Sequence, residues 1–348
     1  MSLLFRTIDR HLERKTPHVP ERAVPMNLRW QLLRQHGNFP LAYPAVTETY
    51  LTTFGDARGM IPFAQKMGVT FALGDPVAAP SDQPALLSEF VEAFASPVFV
   101  ACQRHTAETL AGLGYRVNEF GFDAAIDLEG HSFSGGTYKR VRYGTNWLKS
   151  NGMIISEKPE TDISKKAIKQ MSGRWRKTRV TRREVRFLNR EFSPEKEPDV
   201  RRFYAIASDG SLAGLINFDP VFERGAVIGY LASQKRRLPK DAAYLDLAIM
   251  RHAIDTFQSE GLKTVFMGIS PVADIRPSGF DREHLWLRHA FRAAHESSWA
   301  NRSFFNSKGL AEYKNRFRGR RIPLYICLPP RGSSLVKIIA LLRLIRLV

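Results

Sequence analysis

Two stretches of this chain carry most of its chemistry-bearing residues. Asn118 to Gly152 reads NEFGFDAAIDLEGHSFSGGTYKRVRYGTNWLKSNG, and Phe304 to Phe317 reads FFNSKGLAEYKNRF. In the first, a mostly apolar strand, Gly121 to Leu128, passes through a Gly-Gly turn into a helix. Lys139, Arg142 and Asn146 fall there at i, i+3 and i+7 and share one helix face. In the second, aromatics, an asparagine and lysines surround a Gly-Leu turn. Cations held on rigid elements form a phosphate-binding surface if the two stretches meet in space.

The elements that must position them alternate between strand and helix. In the first half, Val46 to Phe54, Gly68 to Leu73 and Pro97 to Cys102 read as strands. Gln83 to Phe94 and Arg104 to Leu113 read as helices, and a strand from Tyr115 to Leu128 leads into the Lys139 helix. The second half repeats the plan. A helix from Ile163 to Arg174 precedes a hairpin, Arg201 to Ala207 with Leu212 to Phe218, turned at Asp209-Gly210. A strand from Ala226 to Ala232, a long helix from Asp241 to Glu260 and a strand from Lys263 to Gly268 follow. Helices near Glu283 to Ala293 and Lys308 to Arg316 come before a last strand, Ile322 to Leu328. Each half is thus a meander followed by a strand-helix-strand crossover. The expected fold is α/β (α+β), a tandem pair of Gcn5-related acetyltransferase-like domains, residues 1–155 and 156–330, with a C-terminal amphipathic helix in 331–348.

With 348 residues, 44% of them hydrophobic, the chain has enough apolar content for two cores. Its formal net charge of +18 points to an anionic partner, either nucleic acid or an acidic lipid surface. Two cysteines, Cys102 and Cys327, are too few for a disulfide framework and fit a reducing cytoplasm. No CxxC or HxxxH spacing offers a metal site. No secretory signal is visible, and no stretch approaches the roughly 18 apolar residues that span a bilayer. After Ser334, Leu335, Ile338, Leu341, Leu342 and Ile345 form one apolar helical face with Arg343 and Arg346 at its margin. That pattern reads as an interfacial helix on anionic headgroups, or as a helix docked on the protein's own core. Leu4, Phe5, Ile8 and Leu12 against Arg6, Arg10 and Arg14 offer a second such contact.

Serine-hydrolase, P-loop and dinucleotide fingerprints are missing. Coenzyme A binding in an acetyltransferase fold relies on a glycine-rich loop whose amides take the pyrophosphate at a helix N-terminus. The corresponding junction here is GYLASQKRRLPKDAAYLDLAIM, where Leu238-Pro239 replace glycine. A small CoA thioester is disfavoured, and the run Lys235, Arg236, Arg237 suits a larger polyanion or is a solvated loop.

DAAIDL, a turn, then K-R-V-R-x-x-x-N resembles the C-terminal catalytic region of the lysylphosphatidylglycerol synthases (multiple peptide resistance factor). FALGDPV (Phe71 to Val77) before it, and Ser172-x-x-Trp175, FMGISPV (Phe266 to Val272) and FFNSKGLAEYKNRF after it, complete a set that falls in family order from about Phe71 to Phe317. The chain departs from the family at two places. Tyr230-Leu-Ala-Ser-Gln-Lys235 stands where the family has D-L-M-R, and Ala311 replaces the arginine of F-K-G-L-R. The resemblance implies a cytoplasmic enzyme, peripheral on the inner face of the cell membrane. It would move an amino acid from aminoacyl-tRNA to an anionic lipid such as phosphatidylglycerol, a modification linked to antimicrobial peptide resistance.

An aminoacyl ester is already activated, so that reaction needs no cofactor or metal. It needs a positioned hydroxyl or amine, a proton acceptor, and positive charge at the developing oxyanion. The expected roles are Lys308 as the cation and Asp274 as general base or ammonium anchor, with Lys139, Arg142 and Asn146 on phosphate. Phe305, Tyr313 and Trp175 would stack on a terminal adenine beside Asn306, and Lys314 and Arg316 would extend the basic track. An acyl-CoA-dependent N- or O-acyltransferase, and a non-catalytic basic RNA- or membrane-binding module, stand as alternatives.

Overall fold

The structure is a computed structural model and describes residues 22–157, 163–180, 184–238 and 242–347. The first amphipathic stretch, Leu4 to Arg14, lies outside them. Helix α1 (Met26–His36) and the short α2 (Pro44–Thr47) lead into an antiparallel meander, β1 (Thr52–Asp56), β2 (Gly59–Lys66) and β3 (Val69–Leu73). The strand expected from Val46 therefore begins six residues later, because Pro44 starts a helical turn. A two-residue strand, β4 (Val77–Ala78), pairs with β2. Helix α3 (Gln83–Ala93) then buries Leu86, Leu87 and Phe90 and crosses over to β5 (Val98–Cys102), which lies parallel to β3. Helix α4 (Arg104–Gly112) and the long β6 (Arg116–Asp127) follow.

A 3-10 turn and helix α5 (Lys139–Ser150) connect to edge strand β7 (Ile154–Ser156), which pairs with β8. Helix α6 (Lys165–Lys177) precedes a second antiparallel meander, β8 (Arg201–Ile206), β9 (Leu212–Glu223) and β10 (Ala226–Arg237). Helix α7 (Ala242–Ser259) is apolar along its length, with Leu245, Ile249, Met250, Ile254 and Phe257 all fully buried. It crosses to β11 (Thr264–Pro271), parallel to β10. Helices α8 (Leu285–Glu296), α9 (Ser298–Ser303) and α10 (Ser307–Asn315) lead to β12 (Arg320–Leu328), and α11 (Ser334–Leu344) ends the described chain.

All strands join one 12-stranded mixed sheet, ordered β1-β2-β3-β5-β12-β6-β11-β10-β9-β8-β7 with β4 beside β2. Each half carries the acetyltransferase-like plan, and the two are related by an exchange at the centre. β6 leaves the first half to pair with β11 of the second. β12 leaves the second half to pair with β5 of the first. β6 and β12 pair with each other between them, from Arg320 opposite Ala125 to Leu328 opposite Arg116.

In both halves the parallel pair stops early. β3 and β5 end their register at Leu73 opposite Val100, and β10 and β11 end theirs at Leu231 opposite Phe266. Beyond those points the strands diverge. On β11 the divergence coincides with a bulge between Phe266 and Ile269, where Gly268 has φ of 81°; a positive φ costs glycine little.

The C-terminal helix takes a different place from the interfacial one expected for 331–348. α11 buries Ala340, Leu341, Leu344 and Ile345 against the first-half core, packing on β2 and β3. The apolar face read for acyl chains is thus largely covered by the protein itself. Leu335, Val336 and Ile339 remain exposed. Among the described residues no helix is long and apolar enough to cross a membrane.

Candidate functional site

The divergence of β10 and β11 opens a cavity of about 890 Å³ between the halves. Its floor is polar. Asp123, on central strand β6, sits opposite Ile269 on one side and Ile322 on the other and is buried. Backbone N–H groups of Ala124 and Gly268 serve its carboxylate, yet Oδ1 has no hydrogen-bond partner. Burial pushes the carboxyl up to about 6, against the pull of Lys314. Lys314 rises from α10 into the β11 bulge. Its Nζ donates to the Gly268 carbonyl and, at 2.6 Å, to the Ile269 carbonyl. Desolvation lowers it to about 7, with Asp123 opposing. A carboxylate and an ammonium thus face one cavity with their proton affinities drawn close together.

Beside them, Lys235 of β10 lies 4.2 Å from the centre of the Tyr313 ring, and burial lowers its ammonium to about 8. The Tyr313 hydroxyl donates to the Asp246 carbonyl oxygen at 3.3 Å, and Arg237 pairs with one Asp246 carboxylate oxygen. The other, Oδ1, is buried without a partner. Asp123 and Asp246 both line the cavity, and each keeps one enclosed carboxylate oxygen without a donor, a deficit of about 1–3 kcal/mol apiece. One wall is fixed by Arg190, which grips Asp219 at 2.7 and 3.0 Å and pairs with Glu197.

Away from this floor the lining turns apolar. Trp286, Leu287, Ala290, Phe291 and Ala294 form a stripe along α8, and Leu335, Ile338 and Leu342 face the cavity from α11.

The cavity gathers only part of the expected site. Lys235, Arg236, Arg237, Trp175, Phe305, Asn306, Tyr313, Lys314 and Arg316 line it. Lys235, Arg236 and Arg237 belong to strand β10 and not to a loop, and two of them are engaged within the protein. Arg236 is enclosed between Trp175, 3.9 Å away, and Phe192, 4.4 Å away, and it donates to Ser172 and Glu184. Trp175 spends its face on that guanidinium and on Arg179. Asn306 caps α10 by accepting from the Gly309 N–H at 2.8 Å.

The other expected residues stand apart. Lys139 and Asn146 are exposed on α5, which packs on α7 outside the cavity lining, and Arg142 donates to the Phe133 and Gly135 carbonyls. Lys308 is exposed in the first turn of α10, outside the lining, because Ser307, Ala311 and Lys314 take the inward face. Asp274 is exposed and held by Arg276 at 2.7 Å and Arg321 at 3.1 Å. Asp123 and Asp246 were not singled out from sequence. Their signal is an acid inside a run that must be buried, GFDAAI and YLDLAIM. No group of three His, Cys, Asp or Glu among the described residues could hold a metal ion.

Comparison with known proteins places this geometry. A family model described as phosphatidylglycerol lysyltransferase, C-terminal, matches residues 30–328. A Corynebacterium glutamicum protein described as uncharacterized is 22% identical over 280 residues, which cover 77% of this chain. The chain spans about a third of that relative's length, 34%. Among solved structures, L-PGS from Bacillus licheniformis superposes with a TM-score of 0.74 at 19% identity, covering 94% of this chain and 99% of that one. The C-terminal domain of a putative lysylphosphatidylglycerol synthetase from Agrobacterium fabrum gives 0.72 at 18% identity, covering 92% and 96%. FemX gives 0.53 at 10% identity, covering 91% and 98%. At these identities the likeness is one of fold.

Proposed function

The chain belongs to the family of phosphatidylglycerol lysyltransferase C-terminal domains, and from that premise we propose that it transfers an amino acid from aminoacyl-tRNA to the headgroup of an anionic phospholipid such as phosphatidylglycerol. One observation carries this reading: a single cavity joins a floor of buried ionisable groups to an apolar cleft between α8 and α11. The floor suits an ester carrying an ammonium group, and the cleft suits acyl chains.

In this reading the Asp123 carboxylate, which lines the cavity, accepts the proton of the attacking lipid hydroxyl. Asp246, also in the lining, anchors the donor's α-ammonium. Lys314 and Lys235 stabilise negative charge on the carbonyl oxygen and the departing ribose oxygen. The new ester bond forms to the lipid oxygen, the ribose–acyl bond breaks, and the abstracted proton passes to the ribose hydroxyl. The cationic role read for Lys308 moves along α10 to Lys314, and the base role read for Asp274 moves to Asp123. Exposed Arg174, Arg176, Lys177 and Arg179, at the end of α6 by the cavity, would meet phosphates. The site of action would be the cytoplasmic face of the membrane. Neutralising lipid charge there would weaken the attraction of cationic antimicrobial peptides.

The test is transfer of radiolabelled amino acid from charged tRNA into extractable lipid by the purified protein. Label in the organic phase that disappears when RNase is added beforehand supports the proposal. No transfer from any aminoacyl-tRNA, or clear competitive binding of coenzyme A, counts against it.

A further inference from the structure

Beyond β11, six large apolar side chains among the described residues are exposed. Leu285 (58% exposed) and Trp286 lie at the start of α8, Trp299 (65% exposed) on α9, and Leu335 (57% exposed), Val336 and Ile339 on α11. The Ser334 hydroxyl meets His284 Nε2 at 2.9 Å where α8 and α11 begin. α9 follows directly on the other end of α8, and there Trp299 packs edge-on against Phe304, which lines the cavity. Trp286 and Leu335 belong both to this exposed crest and to the apolar cleft, so the crest adjoins the cleft. Arg282, Arg302 and Arg331 are exposed at its margins.

We propose that this three-helix crest is a docking surface for an anionic phospholipid bilayer, which lets an acceptor lipid slide from the membrane directly into the cleft between α8 and α11. The inference rests on the lipid-acceptor reading above and adds where and how the membrane is met. Three features select a bilayer as the occupant. The crest is continuous with a cleft of the right polarity for acyl chains. Two of its six members are tryptophans, the side chain favoured at headgroup depth. Its rim carries guanidinium groups that complement anionic headgroups. The geometry differs from a helix lying flat on lipid, because the inner face of α11 is committed to the protein core. Only the ridges of three helices reach the membrane, and partial insertion of a few large side chains, aided by rim charge, gives reversible attachment.

The crest is tested with Leu285→Ser/Trp299→Ser/Ile339→Ser, three exposed positions outside the cavity lining. Thermal unfolding of the variant should match the parent, since each side chain is exposed. Co-sedimentation with vesicles of phosphatidylglycerol and phosphatidylcholine should fall about tenfold or more, given apolar transfer of roughly 25 cal/mol per Å². Transfer to vesicle-borne phosphatidylglycerol should fall in parallel. Transfer to a short-chain phosphatidylglycerol dissolved as monomers should be unchanged. Parental vesicle binding by the variant overturns the proposal. So does a parent that is dimeric in size-exclusion chromatography and becomes monomeric in the variant, for then a second copy covers the crest. If neither protein transfers to either acceptor, the enzymatic reading fails while vesicle binding still decides the docking surface.

Discussion

The guanidinium of Arg236 lies 3.9 Å from the centre of the Trp175 indole, so two residues that sequence assigned to RNA satisfy one another inside the protein. Arg236 Nη2 also donates to both Glu184 carboxylate oxygens, at 2.9 and 3.0 Å. Removing it strands Glu184 and empties the space between Trp175 and Phe192. Arg236→Ala should therefore lower unfolding free energy by about 3 kcal/mol in urea denaturation. Arg236→Lys should recover little, because an ammonium cannot stack as a plane between two rings while also reaching Ser172 and Glu184.

Asp123→Asn tests the proton acceptor. The amide fills the same space but takes no proton, so kcat for transfer should drop by about 10²–10⁴. Vesicle binding should not change, since Asp123 lies deep in the cavity. A variant with parental turnover would remove Asp123 from the mechanism.

The same residue sets a pH dependence. Asp123 must be ionised to accept a proton, and burial holds its carboxyl up at about 6. Transfer should rise through that pH instead of through the ordinary carboxylate range. Lys314 loses its proton through about 7, so a falling limb should follow where its charge is needed. The two groups interact, and the limbs therefore belong to the pair. Single-turnover rates between about pH 5 and pH 8 read both limbs, and Asp123→Asn should abolish the rising one.

Gly144→Ala sets helix propensity against packing. Alanine should favour an isolated helix by about 1 kcal/mol. Here, however, its Cβ would lie 2.9 Å from the Tyr244 carbonyl oxygen and 3.0 Å from the Leu247 Cβ, where α5 packs on α7. Overpacking costs about 1–3 kcal/mol, so calorimetry should show a lower Tm. An unchanged or higher Tm would mean that α5 moves outward freely.

Cys102 and Cys327 should resist a thiol reagent until the protein unfolds. Their sulfurs lie 3.6 Å apart across β5 and β12, both are fully buried, and the Cys327 contact and burial raise the Cys102 thiol. Titration should count no reactive thiol in native buffer and two in denaturant.

Much of the architecture was legible because periodicity and turn chemistry are local. The crossover helix and the parallel return appear twice in the sequence, and the structure has them near the expected limits; the first meander differs, with a strand at Gly59–Lys66 that the expected set lacks and a first strand shortened to Thr52–Asp56. Site residues were harder, since orientation within an element is settled by what the element packs against. Lys308 and Lys314 share one helix and one motif. Only Lys314 falls with Ser307 and Ala311 on the buried stripe, a pattern visible in the spacing once that face is known to be inward. The basic run at residues 235–237 misled for a related reason. Charge suggested a loop, yet β10 continues through it, where Glu184 and Asp246, both outside the strand, neutralise two of its cations. Asp123 shows the opposite case, an acid whose meaning lies in being surrounded by apolar neighbours.

The exchange of β6 and β12 has a consequence for biosynthesis. The chain leaves the ribosome from its N-terminus, and β5 lacks its neighbour until residues 320–328 emerge. A nascent first half would expose that unpaired edge through the synthesis of nearly two hundred further residues, a template for wrong pairing. The central sheet is therefore complete only once β12 has been made, and chaperone dependence should grow with the delay before it arrives.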